Sequence, residues 1–163
     1  MRKTFFILSA IFIFFIIEFL FFNVIGKWFF PNILLLLIVF FNLLWGIRYS
    51  IITALVAGLI KDSFSVNPFG VYLFSFVICA YMTTFLKKTI YQVGSRSARL
   101  FLVCIICGIN FIAQFFLHLV FGTVTTIASV HFILIPELLT TLLITPFVFN
   151  RLKICVLKFY GSL

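Results

Sequence analysis

Between positions 4 and 22 the chain runs nineteen residues with a single charged side chain, Glu18, and apolar stretches of this kind recur toward its end. A helix needs about 20 mostly apolar residues to cross a bilayer, so these runs name the solvent before anything else is known. A closed membrane barrel would need strands that alternate apolar and polar residues, a pattern the continuous runs exclude. Composition closes the soluble route: 65% of the 163 residues are hydrophobic and 9% charged, against roughly 45–50% and about 25% in soluble domains. No soluble fold of this size hides so much apolar surface. The expected class is all-α, a polytopic compact bundle forming one transmembrane domain over residues 1–163.

Six segments fit the length rule: 4–25, 29–47, 49–64, 69–86, 100–121 and 131–149. The third is the weakest, because its uninterrupted apolar core covers only 51–60, and a re-entrant hairpin is the alternative for it. Arg2 and Lys3 ahead of the first run resemble the opening of a signal peptide. The run is longer than the usual core of about 7–15 residues and no small-residue cleavage site follows, so it is expected to stay as the first anchor.

Charge chooses between the options, since short cytoplasmic loops collect Lys and Arg. With six crossings and an inside N-terminus, ten of the twelve basic residues fall inside: Arg2, Lys3, Arg48, Lys87, Lys88, Arg96, Arg99, Arg151, Lys153 and Lys158. Lys27 and Lys61 fall outside. A third segment that turned back would carry the group Lys87, Lys88, Arg96 and Arg99 outward and abolish the bias, which favours six crossings with both ends in. These cations sit at segment ends, without the aromatics that interleave a nucleic-acid tract, so the net charge of +9 reads as orientation and no nucleic acid is expected.

Three acids, Glu18, Asp62 and Glu137, all lie in the outer half of their segments on this topology. An ionisable group there costs roughly 2.5–3.5 kcal/mol, so each should face the bundle interior and find a partner. Asn110, Gln114 and His118 recur at i, i+4 and i+8 along one face of the fifth segment, and Glu137, Thr141 and Thr145 make a similar stripe on the sixth. The two faces are expected to meet, with Glu137 bonded to Gln114 or His118. Ordinary interhelical packing is the stronger reading of this polar group, an outward-facing pocket the weaker. Four cysteines lie in or beside apolar segments, and Cys104-x-x-Cys107 lacks the strand-to-helix setting that activates a thiol. With two isolated histidines, His118 and His131, and no phosphate loop, zinc-protease helix or nucleophile elbow, neither cofactor, metal nor catalytic centre is expected.

The most specific pattern begins with Pro31-Asn32 before a leucine-rich run, continues through Gly46, and ends with residues 58–70: Gly58, Lys61, Asp62, Pro68 and Gly70 in that order. Pro31 suits a helix's first turn, where its missing N–H is no loss. Asp62 is placed to accept backbone N–H groups at the turn made by Pro68 and Gly70. In order and spacing this resembles the MreD family of bacterial rod-shape-determining membrane proteins. The likeness extends over nearly the whole chain, including the basic loop at Lys87 and Lys88 and the stretch from Pro136 and Glu137 to Pro146 and Arg151. Family members often carry an acid where this chain has Asn32, and an apolar residue where it has Lys61. The resemblance implies a non-enzymatic scaffold of the cell-elongation, peptidoglycan-synthesising machinery in the bacterial cytoplasmic (inner) membrane. Implied partners are an MreC-type single-pass coiled-coil protein and the elongation glycan polymerase and transpeptidase, with the MreB filament as a further candidate. The basic loop of Lys87, Lys88, Arg96 and Arg99 would meet anionic lipid headgroups, in preference to the filament.

A competing class has similar length and helix number: the substrate-binding membrane component of an energy-coupling-factor vitamin transporter, whose pocket the outer-half acids would suit. Against it, the first segment lacks the Ala-xxx-Ala docking pattern common there and is bulky around Ser9 and Ala10. An intramembrane enzyme acting on lipid would need clustered acids or a nucleophile with its base, and the sequence shows only scattered acids.

Overall fold

The computed structural model describes residues 2–25, 31–65, 68–90, 96–121 and 127–160. Lys27, Val66 and Asn67 lie outside the described residues, as do positions 29–30 of the expected second segment and the side chains of Arg2, Arg96 and His131. Among the described residues there are six helices and no strands: α1 Arg2–Ile25, α2 Ile33–Trp45, α3 Ile47–Phe64, α4 Val71–Ile90, α5 Arg96–Val120 and α6 Ile127–Tyr160. Four of them, α1, α4, α5 and α6, are long and apolar enough to cross a membrane.

The arrangement is built around α2. Its thirteen residues span about 20 Å, short of the ~30 Å hydrocarbon layer. Ile33 through Asn42 are all buried, as expected of a helix that is apolar on every side. It touches α1, α3, α4, α5 and α6, while α3, α4, α5 and α6 pack in sequence around it and α1 lies against α2 and α3. The outward faces remain apolar: Phe5, Phe12, Phe85, Phe101, Leu143 and Phe147 are all exposed, which in lipid is ordinary solvation.

A single residue, Gly46, separates α2 from α3 at φ +86°, a left-handed conformation that favours glycine. Its N–H donates to Asn42 O at 3.1 Å, and α3 then folds back along α2, with Ser50 Oγ bonded to Ile38 O. One continuous helix of 18 residues therefore replaces the hairpin alternative for the third segment. Where α3 meets α4 the backbones nearly touch: a Cβ on Gly58 would lie 2.6 Å from Leu73 Cα. Ala54 and Ala57 line the same α3 face and are wholly buried, the small-residue packing that lipid-embedded helices use.

Several boundaries differ from the sequence expectation. Pro31 does not enter the first turn of α2; Asn32 is the N-cap, its side chain accepting from Leu35 N, and Pro31 precedes it. A capping side chain satisfies an orphan N–H, which proline at the first helical position would not. Lys87 and Lys88 belong to the last turn of α4, and Arg96 and Arg99 to the first turn of α5, so the four cations expected in a loop stand on helices. The sixth helix runs on through Pro136 and Pro146 to Tyr160. Within it Thr140 donates to Pro136 O and Thr145 to Thr141 O, both at 2.7 Å.

Candidate functional site

The first N–H groups of any helix lack partners within it, and those of α2 open inside the bundle, away from water. Glu18 of α1 answers two of them, its Oε2 accepting from Ile33 N at 3.1 Å and Leu34 N at 3.3 Å. Asn32 Oδ1 takes Leu35 N at 3.2 Å, and Asn32's own N–H donates to Thr141 Oγ1 of α6 at 2.9 Å. A carboxylate at this end also meets the positive end of the helix dipole.

Lys61 of α3 completes the group. Its Nζ lies 2.7 Å from Glu18 Oε1 and 4.8 Å from the centre of the Tyr72 ring, with both ion-pair side chains buried. Asn32 Nδ2 donates to Glu137 Oε1 at 2.6 Å, and the Thr141 hydroxyl donates to Glu137 O. One connected cluster therefore joins α1, α2, α3 and α6 through Glu18, Lys61, Asn32, Glu137 and Thr141. Asp62, next along α3, caps α4, accepting from Tyr72 N and Leu73 N at 3.0 Å each. Gly70, at φ +105°, makes the turn that leads into that cap.

The partner of Glu137 differs from the expected one. Its carboxylate takes Asn32 of α2, whereas Gln114 donates to Asn110 on its own helix at 3.4 Å. The i, i+4 spacing that marked a polar face on α5 also lets its members bond one another. The two faces do approach: Asn110 and Phe111 line a cavity with Asn32, Glu137 and Thr141. Its volume is about 10 Å³, room for about one water. Gln114 is buried one turn further along α5, and His118 lies half-buried near that helix's end.

Sequence reasoning placed Lys61 among the outer loop cations and missed its pairing. The available signal was a cation inside a helical segment at the depth of Glu18. It also passed over Asn42, the one polar residue within α2, whose Nδ2 donates to Ala80 O at 2.8 Å and Thr84 Oγ1 at 2.9 Å. Nearby, Lys87 Nζ donates to Leu43 O at 2.8 Å and Asn42 O at 3.3 Å. The two ends of α2 are thus satisfied by opposite charges, acid at its start and ammonium at its close.

A family model described as rod shape-determining protein MreD matches residues 1–160. The chain belongs to the MreD family. That membership carries a role in rod-shape determination, and with four long apolar helices it makes the protein a multi-pass membrane protein. No curated protein and no solved structure matches the chain. The MreD-like pattern in the sequence maps onto the α2 start and the α3–α4 corner: Asn32 and Asp62 cap helices, Gly58 allows the close crossing, and Gly70 turns the chain. Pro68 precedes that turn, its carbonyl accepting from Val71 N, and Pro136 and Pro146 lie within α6.

Proposed function

We propose that this MreD-family protein is a non-enzymatic scaffold of the cell-elongation machinery in the bacterial cytoplasmic membrane. It crosses six times with both ends inside and holds partners through transmembrane helices and short loops. The single observation that carries this reading is the use made of the acids. Glu18 holds two backbone N–H groups and an ammonium, Asp62 holds two backbone N–H groups, and Glu137 holds Asn32. Groups so engaged tie helices together, and the exposed apolar faces of α1, α4 and α6 are the surface on which other membrane helices can pack. The cavity beside Glu137, about 10 Å³, argues against a vitamin-sized substrate there. Partners of the expected kind are an MreC-type single-pass protein and the glycan polymerase and transpeptidase pair.

Affinity purification of the tagged chain from mild detergent tests this directly. Recovery of a single-pass coiled-coil protein, together with the polymerase and transpeptidase, is the expected result. A chain that comes out alone with a bound vitamin would sink it.

A further inference from the structure

A larger hollow lies at the other end of the bundle from the acids. Its volume is about 150 Å³, and it is lined by Arg99 and Leu100 at the start of α5 and by Thr145, Pro146, Phe149 and Asn150 of α6. The level is set by neighbours: Phe149 packs edge-on against Phe40 at 5.4 Å, in the C-terminal half of α2, whose last carbonyls bind Lys87. Exposed Lys88, Arg151 and Lys153 belong to helix turns at this same end.

Among the described residues, no acidic side chain answers Arg99. The sequence contains three acidic side chains. Glu18 and Glu137 meet at the start of α2, and Asp62 caps the start of α4. Arg99 stands in the first turn of α5, beside the far end of α4. A guanidinium at the edge of an apolar hollow, with the three acidic side chains all engaged nearer the starts of α2 and α4, is open to a counter-charge from outside the chain. The walls limit what can bring it. Leu100, Pro146 and Phe149 offer an apolar floor that a free anion cannot use, while Arg99 and the Asn150 amide offer donors at its rim.

We propose that this hollow binds one anionic phospholipid, its phosphate on Arg99 and Asn150 and an acyl chain along Leu100, Pro146 and Phe149. The site goes beyond the scaffold reading, which requires no ligand.

Native mass spectrometry of the full-length chain, released from micelles doped with phosphatidylglycerol or phosphatidylcholine, tests it. The expected result is one tightly held phosphatidylglycerol, preferred over phosphatidylcholine and not displaced by millimolar inorganic phosphate. Arg99→Gln should weaken that binding about fivefold, the equivalent of ~1 kcal/mol for one basic residue at an anionic surface. Arg48→Gln, at an exposed position on α3, which contacts neither α5 nor α6, should leave it unchanged. Leu100→Trp keeps the charge but fills the space, and it should lose the lipid as well, which decides the matter if Arg99→Gln is poorly folded. Equal binding in wild type and Leu100→Trp would overturn the proposal. So would equal losses in Arg99→Gln and Arg48→Gln, which would mean diffuse attraction, or displacement by inorganic phosphate.

Discussion

Glu18 and Lys61 are the two residues whose removal should be felt most unequally. Each is buried and each faces the other, but Glu18 has further support from Ile33 N, Leu34 N and the dipole of α2. Removing the carboxylate strands an ammonium among Tyr72 and Phe76, whereas removing the ammonium leaves a carboxylate that still has donors. Glu18→Gln should therefore destabilise the fold by about 3–5 kcal/mol and Lys61→Met by distinctly less. The double variant should recover most of the loss, because no uncompensated charge is left. Unfolding of the four proteins in mixed micelles by SDS titration measures this, and additive losses would refute the coupling. At this scale the sequence was legible in part. That intramembrane acids need partners follows from the cost of burying them, and Asp62 was placed at its turn by neighbouring Pro68 and Gly70. Which partner each acid takes depends on helix rotation, which no local pattern in α1 or α6 encodes. Asn32 and Lys61 belong to one cluster, and a polar group set inside or against an apolar run was the readable sign of each.

Among the elements, α3 and α4 depend on the absence of a side chain. A methyl group at Gly58 meets Leu73 backbone, which cannot rotate away, so the two helices must separate. Gly58→Ala is expected to cost about 1–3 kcal/mol, the usual range for overpacking. Gly108, also in a helix interior, has nothing within 4 Å of a built Cβ. There the same change should be neutral or stabilise by up to ~1 kcal/mol, since alanine is the better helix former. Thermal unfolding of both variants in one detergent checks the contrast; equal shifts would show that the close crossing contributes nothing. Helix existence was legible from apolar runs, because hydropathy and length alone report it. Helix ends were less so. The true start of α2 is decided by the Asn32 side chain, and α6 continues through both prolines, as helices packed among others in lipid tolerate. Neither effect leaves a mark on hydropathy.

Over the whole molecule, charge is sorted by end. Lys3 lies 5.6 Å from the Trp45 ring and 5.7 Å from Tyr49, so the first turn of α1 sits where α2 gives way to α3. Lys87 binds the carbonyls that close α2, and Arg151 lies over Phe147, nearly three turns beyond the Thr141 that holds Asn32. All three acids and Lys61 gather at the opposite end. Aromatic rings beside a lysine at one level are what the boundary between headgroups and hydrocarbon selects. Since Lys and Arg accumulate on the cytoplasmic side, the basic end should face inward and the start of α2 outward. This orientation makes two exposed positions behave oppositely. In a chain first freed of its native thiols, among them exposed Cys104 and Cys155, Ser63→Cys near the end of α3 should react with an impermeant maleimide added to intact spheroplasts. Lys88→Cys, in the last turn of α4, should react only after the membrane is permeabilised. Because the two positions are separated by the length of α4 alone, the pair tests whether α3 delivers the chain to the outer face. Labelling of Lys88→Cys from outside would place the entire basic end on the wrong side of the bilayer and reverse the assignment of every charge in the bundle.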